Sequence, residues 1–185
     1  RWVAAIRHAD PNRDQLRLEA LWLYEAIDQP QPQLLAELLQ SNDHRVRGAA
    51  VRTASHWRAK LPAADLQQIA TRAAADEHPR VRLEAVRALA EIPQAKAAEA
   101  ALVVLNRPMD RFLDFALWTT MRDLSSHWLP ALQAGKFNVS DVNQLTFALK
   151  AVDSPEVVAP LLKLIQQDKI PADRVEGVLA IVASL

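Results

Sequence analysis

The chain has no cysteine, and that absence removes several chemistries at once. Disulfides, thiolate metal sites, a covalently held c-type haem and a cysteine nucleophile are all excluded within these residues. The compartment stays open, because a chain without cysteines suits cytosol or periplasm equally. Glycine is nearly as scarce, with 3 residues, and aromatics make up 5%. β-Branched strand formers are sparse, whereas Ala, Leu, Arg, Gln and Glu abound, so the composition favours helices throughout. There is no excess charge of either sign: 22 basic and 22 acidic residues leave a net of +0. No global field draws the protein to nucleic acid or anionic lipid, so any charged site must be local. No apolar run approaches the roughly 20 residues needed to span a bilayer, and no signal peptide opens the chain. It starts at Arg1 rather than Met and ends inside the apolar run from Val178 to Leu185, as a segment of a longer protein would.

What is present is a repeat. Its cleanest copy is His78 to Pro93, HPRVRLEAVRALAEIP. Val81, Ala85, Val86 and Leu89 fall at i, i+4, i+5 and i+8 and form one apolar stripe, while Arg80, Arg82, Glu84, Arg87 and Glu91 take the remaining circumference. One stripe of small and branched side chains buries too little surface to offset the entropy of ordering its helix. Neighbouring copies must therefore cover it, which is the logic of a solenoid. Aligned on this copy, Leu16, Val46, Val81 and Phe112 occupy the first apolar position and Ala20, Ala50, Ala85, Ala116 and Ala148 the fifth. Gln144 makes the first position of the 148 copy degenerate, and a last copy at 174–185 is weaker. A small residue recurring about every 30 to 35 positions fits stacked helix pairs that approach closely.

Shorter apolar segments between these helices supply the other half of each pair: Pro32 to Gln40, Pro62 to Ala75, Gln94 to Asn106, Ser126 to Ala134 and Ser154 to Gln167. Pro32, Pro62 and Pro155 suit first helical turns, and Gly135 marks the clearest stop. Trp2 to Ala9 reads as a truncated partner of the first full helix. The expectation is an all-α solenoid of about five to six repeats, a single domain over residues 1–185 with no linker.

HPRVRLEAVRALAEIP resembles a bacterial HEAT repeat. NRPMDRFLDFALWTTMRDLSSHWLPALQAGKF followed by LTFALKAVDSPEVVAPLL is similar to something narrower: the HEAT segment of large multidomain bacterial proteins that join a dehydrogenase-like β-propeller, HEAT repeats and a haem-binding cytochrome c domain. The similarity covers roughly the last two thirds. It implies antiparallel helix pairs in a right-handed superhelix, an exported protein, periplasmic or extracellular, and a docking or spacer role for this piece. The propeller's catalytic residues and the haem-binding Cys-x-x-Cys-His have no counterpart here, so no cofactor and no catalytic residue is carried onto the chain.

Stacking the copies exposes a candidate surface. The position before the first apolar residue reads Gln15, Arg45, Arg80, Arg111, Asn143, and the position six after it reads Trp22, Arg52, Arg87, Trp118, Lys150. A step of seven leaves the two positions about 20° apart on one helix face. The result is an Arg ridge flanked by Trp: Trp22, Arg45, Arg52, Arg80, Arg87, Arg111, Trp118 and Lys150. As a binding face it would take an anionic or extended partner, with Arg gripping carboxylate or phosphate and Trp stacking. As a plain solvated face it would pair its Arg with Glu84, Glu91 and neighbouring acids, the commoner fate of charged helix surfaces. A second recurrence couples loop acids to Arg: Asp10 with Arg17, Asp43 with Arg47, Asp76 with Arg82. HEAT arrays resemble this in their Asp and Arg ladder, which should stop where Leu113 and Leu145 replace the Arg and alter packing near Arg107 to Asp110.

Metal and catalytic patterns are weak. His8, His44, His56, His78 and His127 never pair at i, i+4 with one another, and His44 and His78 share a loop position as repeat structure would have it. Asp110, Asp114 and Asp123 near Trp118 resemble HEAT-like DNA glycosylases in architecture only. The segment Arg45 to Lys60 is locally basic, with Arg45, Arg47, Arg52, Arg58 and Lys60 and no acidic residue, a pattern that could meet phosphates. The expected function is a non-catalytic, monomeric interaction or spacer module that contacts a protein partner or its own flanking domains. The alternative is a nucleic-acid-binding HEAT protein.

Overall fold

The computed structural model describes residues 10–139 and 141–152, with isolated positions at 162, 165, 166, 175, 176 and 179. The segments expected at 2–9, 154–167 and 174–185 lie outside these described residues, apart from those isolated positions. Within them the helices are α1 (Arg13–Ala26), α2 (Pro32–Leu38), α3 (His44–His56), α4 (Ala63–Ala74), α5 (Pro79–Ala90), α6 (Ala95–Leu102), α7 (Arg111–Asp123), α8 (Ser125–Gln133) and α9 (Val142–Val152), with a 3₁₀ turn at Val103–Asn106 after α6. The odd-numbered helices form one row in which α1 packs on α3, α3 on α5, α5 on α7 and α7 on α9. The even-numbered helices cover that row, with α4 on α5 and α6 on both α5 and α7. This two-layer stack of helix pairs is the solenoid that the repeat demands.

The helices α3, α5 and α7 are each started by a side chain of the loop before them. Asp43 accepts a hydrogen bond from the Arg45 N–H at 2.8 Å, His78 Nδ1 from the Arg80 N–H at 3.2 Å, and Asp110 from the Phe112 and Leu113 N–H groups at 2.9 and 2.8 Å. A side-chain acceptor at that point satisfies donors that the first turn leaves open, and it sets the rotational phase of everything that follows. Counting from the cap, the third residue is Val46, Val81 or Leu113 and the seventh is Ala50, Ala85 or Leu117, and all of these are buried. Val51 and Val86 at the eighth are buried as well.

That count corrects the alignment of α7. Phe112, expected at the first core position, is 60% exposed, and Ala116 is only partly buried. Leu113 and Leu117 hold the core positions one residue later. The Asp110 cap fixes this phase physically. In α9 the expected phase holds, with Ala148 and Leu149 buried. Gln144, the polar misfit of that copy, is buried and donates through Nε2 to Asn106 Oδ1 at 3.0 Å, so it enters the core with a partner.

The connections close by local hydrogen bonds. Gly135 has φ 67° and ends α8, where the Lys136 N–H reaches the Ala131 carbonyl at 2.8 Å. Asp28, at φ 53°, ends α1 the same way, with the Gln29 N–H on the Tyr24 carbonyl at 2.9 Å.

The α7 register is open to direct measurement. Leu113→Ala should destabilise the fold by about 2–5 kcal/mol, because it leaves a cavity in the α7 core. Phe112→Ala should change stability by no more than about 0.5 kcal/mol. Urea unfolding of both variants checks this, and equal losses would show the register to be misplaced.

Candidate functional site

The ridge is placed unevenly by this geometry. Arg45 and Arg80 stand two residues after their caps and Arg52 and Arg87 nine after, so α3 and α5 present matching exposed pairs. On α7 the equivalent positions are Phe112 and Thr119. Arg111 instead lies over the Phe112 ring at 4.7 Å, while Trp118 turns toward the core position of Val51 and Val86 and is covered by Arg122 at 4.6 Å. Lys150 is exposed on α9. Trp22, on α1, is 45% exposed.

Trp22, Arg52 and Arg80 come together in one groove. It has a volume of about 570 Å³ and is also lined by Glu25, Ala49 and Glu84. A smaller adjoining cleft of about 250 Å³ brings in Arg87, Arg58 and Glu91. Arg45, Arg111, Trp118 and Lys150 line neither.

The carboxylates nearby are already engaged. Glu84 pairs with Arg87 at 3.4 Å and Glu91 with Arg58 at 3.7 Å. Glu25 accepts a hydrogen bond from Thr53 Oγ1 at 2.5 Å and lies 3.9 Å from His56 Nδ1. Arg45 folds back onto its own cap, Asp43, at 2.7 Å, and the bonds from its side chain and its N–H hold that carboxyl down to about 2. The guanidiniums of Arg52 and Arg80 make no ion pair among the described residues. Two free planar cations beside an exposed indole can grip a carboxylate through paired N–H donors while an aromatic or apolar group stacks on Trp22.

The loop acids and helix Arg residues are joined differently from the expected pairs. Arg47 does not bond Asp43. Its fork reaches one repeat forward to Asp76, with Nε at 2.8 Å and Nη2 at 2.9 Å, while Nη1 holds the Ser41 and Asn42 carbonyls at 2.9 and 3.2 Å. Arg17 pairs with Glu37 on α2, and Asp10 accepts from the Asn12 N–H at 2.8 Å. Arg82, 1% exposed, uses carbonyls alone, those of Asp76 and Glu77 at 2.9 Å and that of Pro108. An Arg at this position bonds backward to its own loop with one edge and forward with another, which the pairing of neighbours along the chain does not reveal. At the next rung Asp114 and Leu145 stand where Arg would, so the segment 107–110 contributes a backbone oxygen to Arg82 in place of a carboxylate.

Burial opposes the charge of Asp76, but the Arg47 fork and the His78 N–H outweigh it and hold the carboxyl below its usual range. The same loops stack His44 on His78, ring centroids 3.5 Å apart and 12° from parallel. Burial first, and then the His44 ring, push the His78 pKa down. Among the described residues no cluster of three metal-capable side chains exists, and Asp110 is occupied as a cap.

A two-layer stack of helix pairs tied by Arg forks defines the class: an α-solenoid of helical repeats. Residues 31–116 match the family model of HEAT repeats, repeats that commonly serve as protein-interaction scaffolds and are generally non-catalytic. No curated protein and no solved structure matches the chain. Among the described residues no helix is long and apolar enough to cross a membrane.

The Arg47 to Asp76 link has a pH signature. Asp76 has a folded pKa below the unfolded value of about 3.9, so its stabilisation is present above that value and is lost as pH falls through the folded pKa. Asp76→Asn should therefore cost about 1–3 kcal/mol at pH 7, and the gap to the parent should narrow below about pH 4. Thermal melts from pH 7 to pH 2.5 check this; a gap independent of pH would mean that the charge of Asp76 contributes nothing.

Proposed function

We propose that residues 1–185 form one non-catalytic HEAT domain that acts as an interaction or spacer module, monomeric in itself, and that captures an acidic segment of a protein partner or of its own flanking domains. The observation that carries this reading is the pair of uncompensated guanidiniums, Arg52 and Arg80, set beside the exposed Trp22 in one groove. On the same helices and loops Arg47, Arg58 and Arg87 are each paired with a carboxylate, and these two are not. The resemblance of residues 106–137 and 145–162 to the HEAT segment of haem-binding, dehydrogenase-like proteins supports a parent that is an exported redox protein, periplasmic or extracellular.

For nucleic acid the relevant residues are the basic run Arg45 to Lys60. Arg45 is engaged with Asp43, Arg47 with Asp76, Arg58 with Glu91 and Lys60 with Asp28. Arg52 alone of that run is left for a phosphate, far short of the stripe that backbone binding requires. The glycosylase comparison loses Asp110 to its cap.

The charge-reversed double variant Arg52→Glu, Arg80→Glu tests the groove. Capture of the native partner, quantified by mass spectrometry after affinity isolation, should fall at least about 10-fold, as expected when two cations that contact an acidic partner are reversed in sign. The melting temperature should stay within about 2 °C, because both side chains are exposed. Unchanged capture would remove the groove as the binding face. Salt-sensitive binding of the parent chain to a 20-base-pair duplex would favour nucleic acid instead.

A further inference from the structure

Along the row of odd-numbered helices the exposed side changes its chemistry between α5 and α7. Two residues after each cap stand Arg45 on α3, Arg80 on α5 and Phe112 on α7. Neighbouring helices in such a row lie about 8–10 Å apart, so Phe112 is the next rung beyond Arg80. It is 60% exposed, with the Arg111 guanidinium over one face of its ring at 4.7 Å. Phe115, 67% exposed, stands three residues on and is therefore its neighbour on the helix surface. The Phe115 ring lies in turn beside that of Trp118, with centroids 6.5 Å apart and planes 22° from parallel.

The fold does not use the two phenyl rings. The core side of α7 is filled by Leu113, Leu117 and Met121, all buried, and Phe112 and Phe115 stand away from it. Single exposed apolar side chains are ordinary, but these two adjoin each other and follow directly on the cationic rung of Arg80. Their surroundings are positive as well. Arg111 and Arg122 lie over Phe112 and Trp118, and neither makes an ion pair among the described residues. Asp114, two residues from Phe112, is turned to the opposite side of the helix. Asp123 shares the side of Phe112 but stands about 16 Å further along the helix axis. Free guanidiniums and exposed rings thus share one surface, and the charge complementary to it is negative.

We propose that the partner segment held in the Trp22 groove is an extended acidic stretch with a second, apolar anchor. Its carboxylates meet Arg52 and Arg80, and an aromatic or large aliphatic side chain about three residues away sits on Phe112 and Phe115, since an extended chain advances about 3.3 Å per residue. This inference rests on the groove reading above and adds the partner's second contact. The carboxylates orient the segment, and burial of the apolar side chain against two phenyl rings supplies affinity that exposed charges alone do not. A single-stranded nucleic acid also combines anions with rings that stack. The groove favours a peptide, because Glu25 and Glu84 line it beside Arg52 and Arg80 and deny it the continuous positive track that a phosphate backbone follows.

The probes are fluorescein-labelled Gly-Ser peptides that carry a Glu pair and one Phe about three residues from it, made with either element first. Control peptides replace the Phe by Ser or both Glu by Gln. In anisotropy titrations with the full chain, the Phe peptide should bind at least about 10-fold more tightly than its Ser control, as burial of one phenyl side chain implies. Phe112→Gln with Phe115→Gln should bring the Phe peptide down to the level of that control. The melting temperature should stay within about 2 °C of the parent, because both rings are exposed. Arg52→Glu with Arg80→Glu should weaken the Phe peptide and its Ser control alike. If it does not, or if no Glu peptide binds, the groove reading fails and the second anchor with it. If it does, but the Phe adds nothing or its gain survives in the Phe112→Gln, Phe115→Gln chain, the anchor alone is overturned. Tighter binding of single-stranded oligothymidine than of the Phe peptide would give the surface to nucleic acid. A parent dimer in sedimentation that Phe112→Gln, Phe115→Gln dissolves would give the rings to a second copy, and either result overturns the proposal.

Discussion

Everything in this fold depends on how closely neighbouring helices of the odd-numbered row approach one another. Ala20, Ala50, Ala85 and Ala148 are each 0% exposed, and a methyl group at that position lets one backbone lie against the next. The constraint has two sides. Close approach excludes water from the seam, but an alanine buries so little area that no single pair can offset the entropy of ordering its helices. The array is stable only as an array, with each repeat completed by its neighbours.

The Arg forks follow from the same closeness. Once α3 and α5 are held together, the loops before them are stacked as well, so His44 lies on His78 and the Arg47 fork spans to Asp76. Where the seam residue grows from Ala to Leu117, the pattern loosens. α7 has no Arg at the ladder position, and Arg82 turns to the Pro108 carbonyl. α7 also presents Phe112, 60% exposed, where α3 and α5 present Arg45 and Arg80. Seam, ladder and surface row therefore change together at one helix, because all three are phased by the same cap.

The repeat itself was legible in the residues, since its stripe and its alanine spacing report burial directly. The phase of α7 is legible in its cap, Asp110, and not in its alanine. The alanine spacing favours Ala116, whereas the cap at Asp110 places Leu117 at the seam, and a cap constrains rotation where a small side chain does not. The direction of the ladder was not legible at all, because an Arg side chain is long enough to reach its own loop or the next, and only the stacking distance selects between them.

The charges show most clearly what a linear reading loses. Along the chain, Arg45 to Lys60 is a basic run with no acid in it. In the fold, Asp28, Asp76 and Glu91 arrive from other segments and Asp43 from the preceding loop, and the run is neutralised almost throughout. Net charge and local charge density are therefore poor guides to where a solenoid binds, because every helix is flanked by others that can cancel it. The informative cations are among those left over after neighbours are counted, Arg52 and Arg80 beside Trp22. A guanidinium that stays free amid so many carboxylates has its favourable interactions still to make.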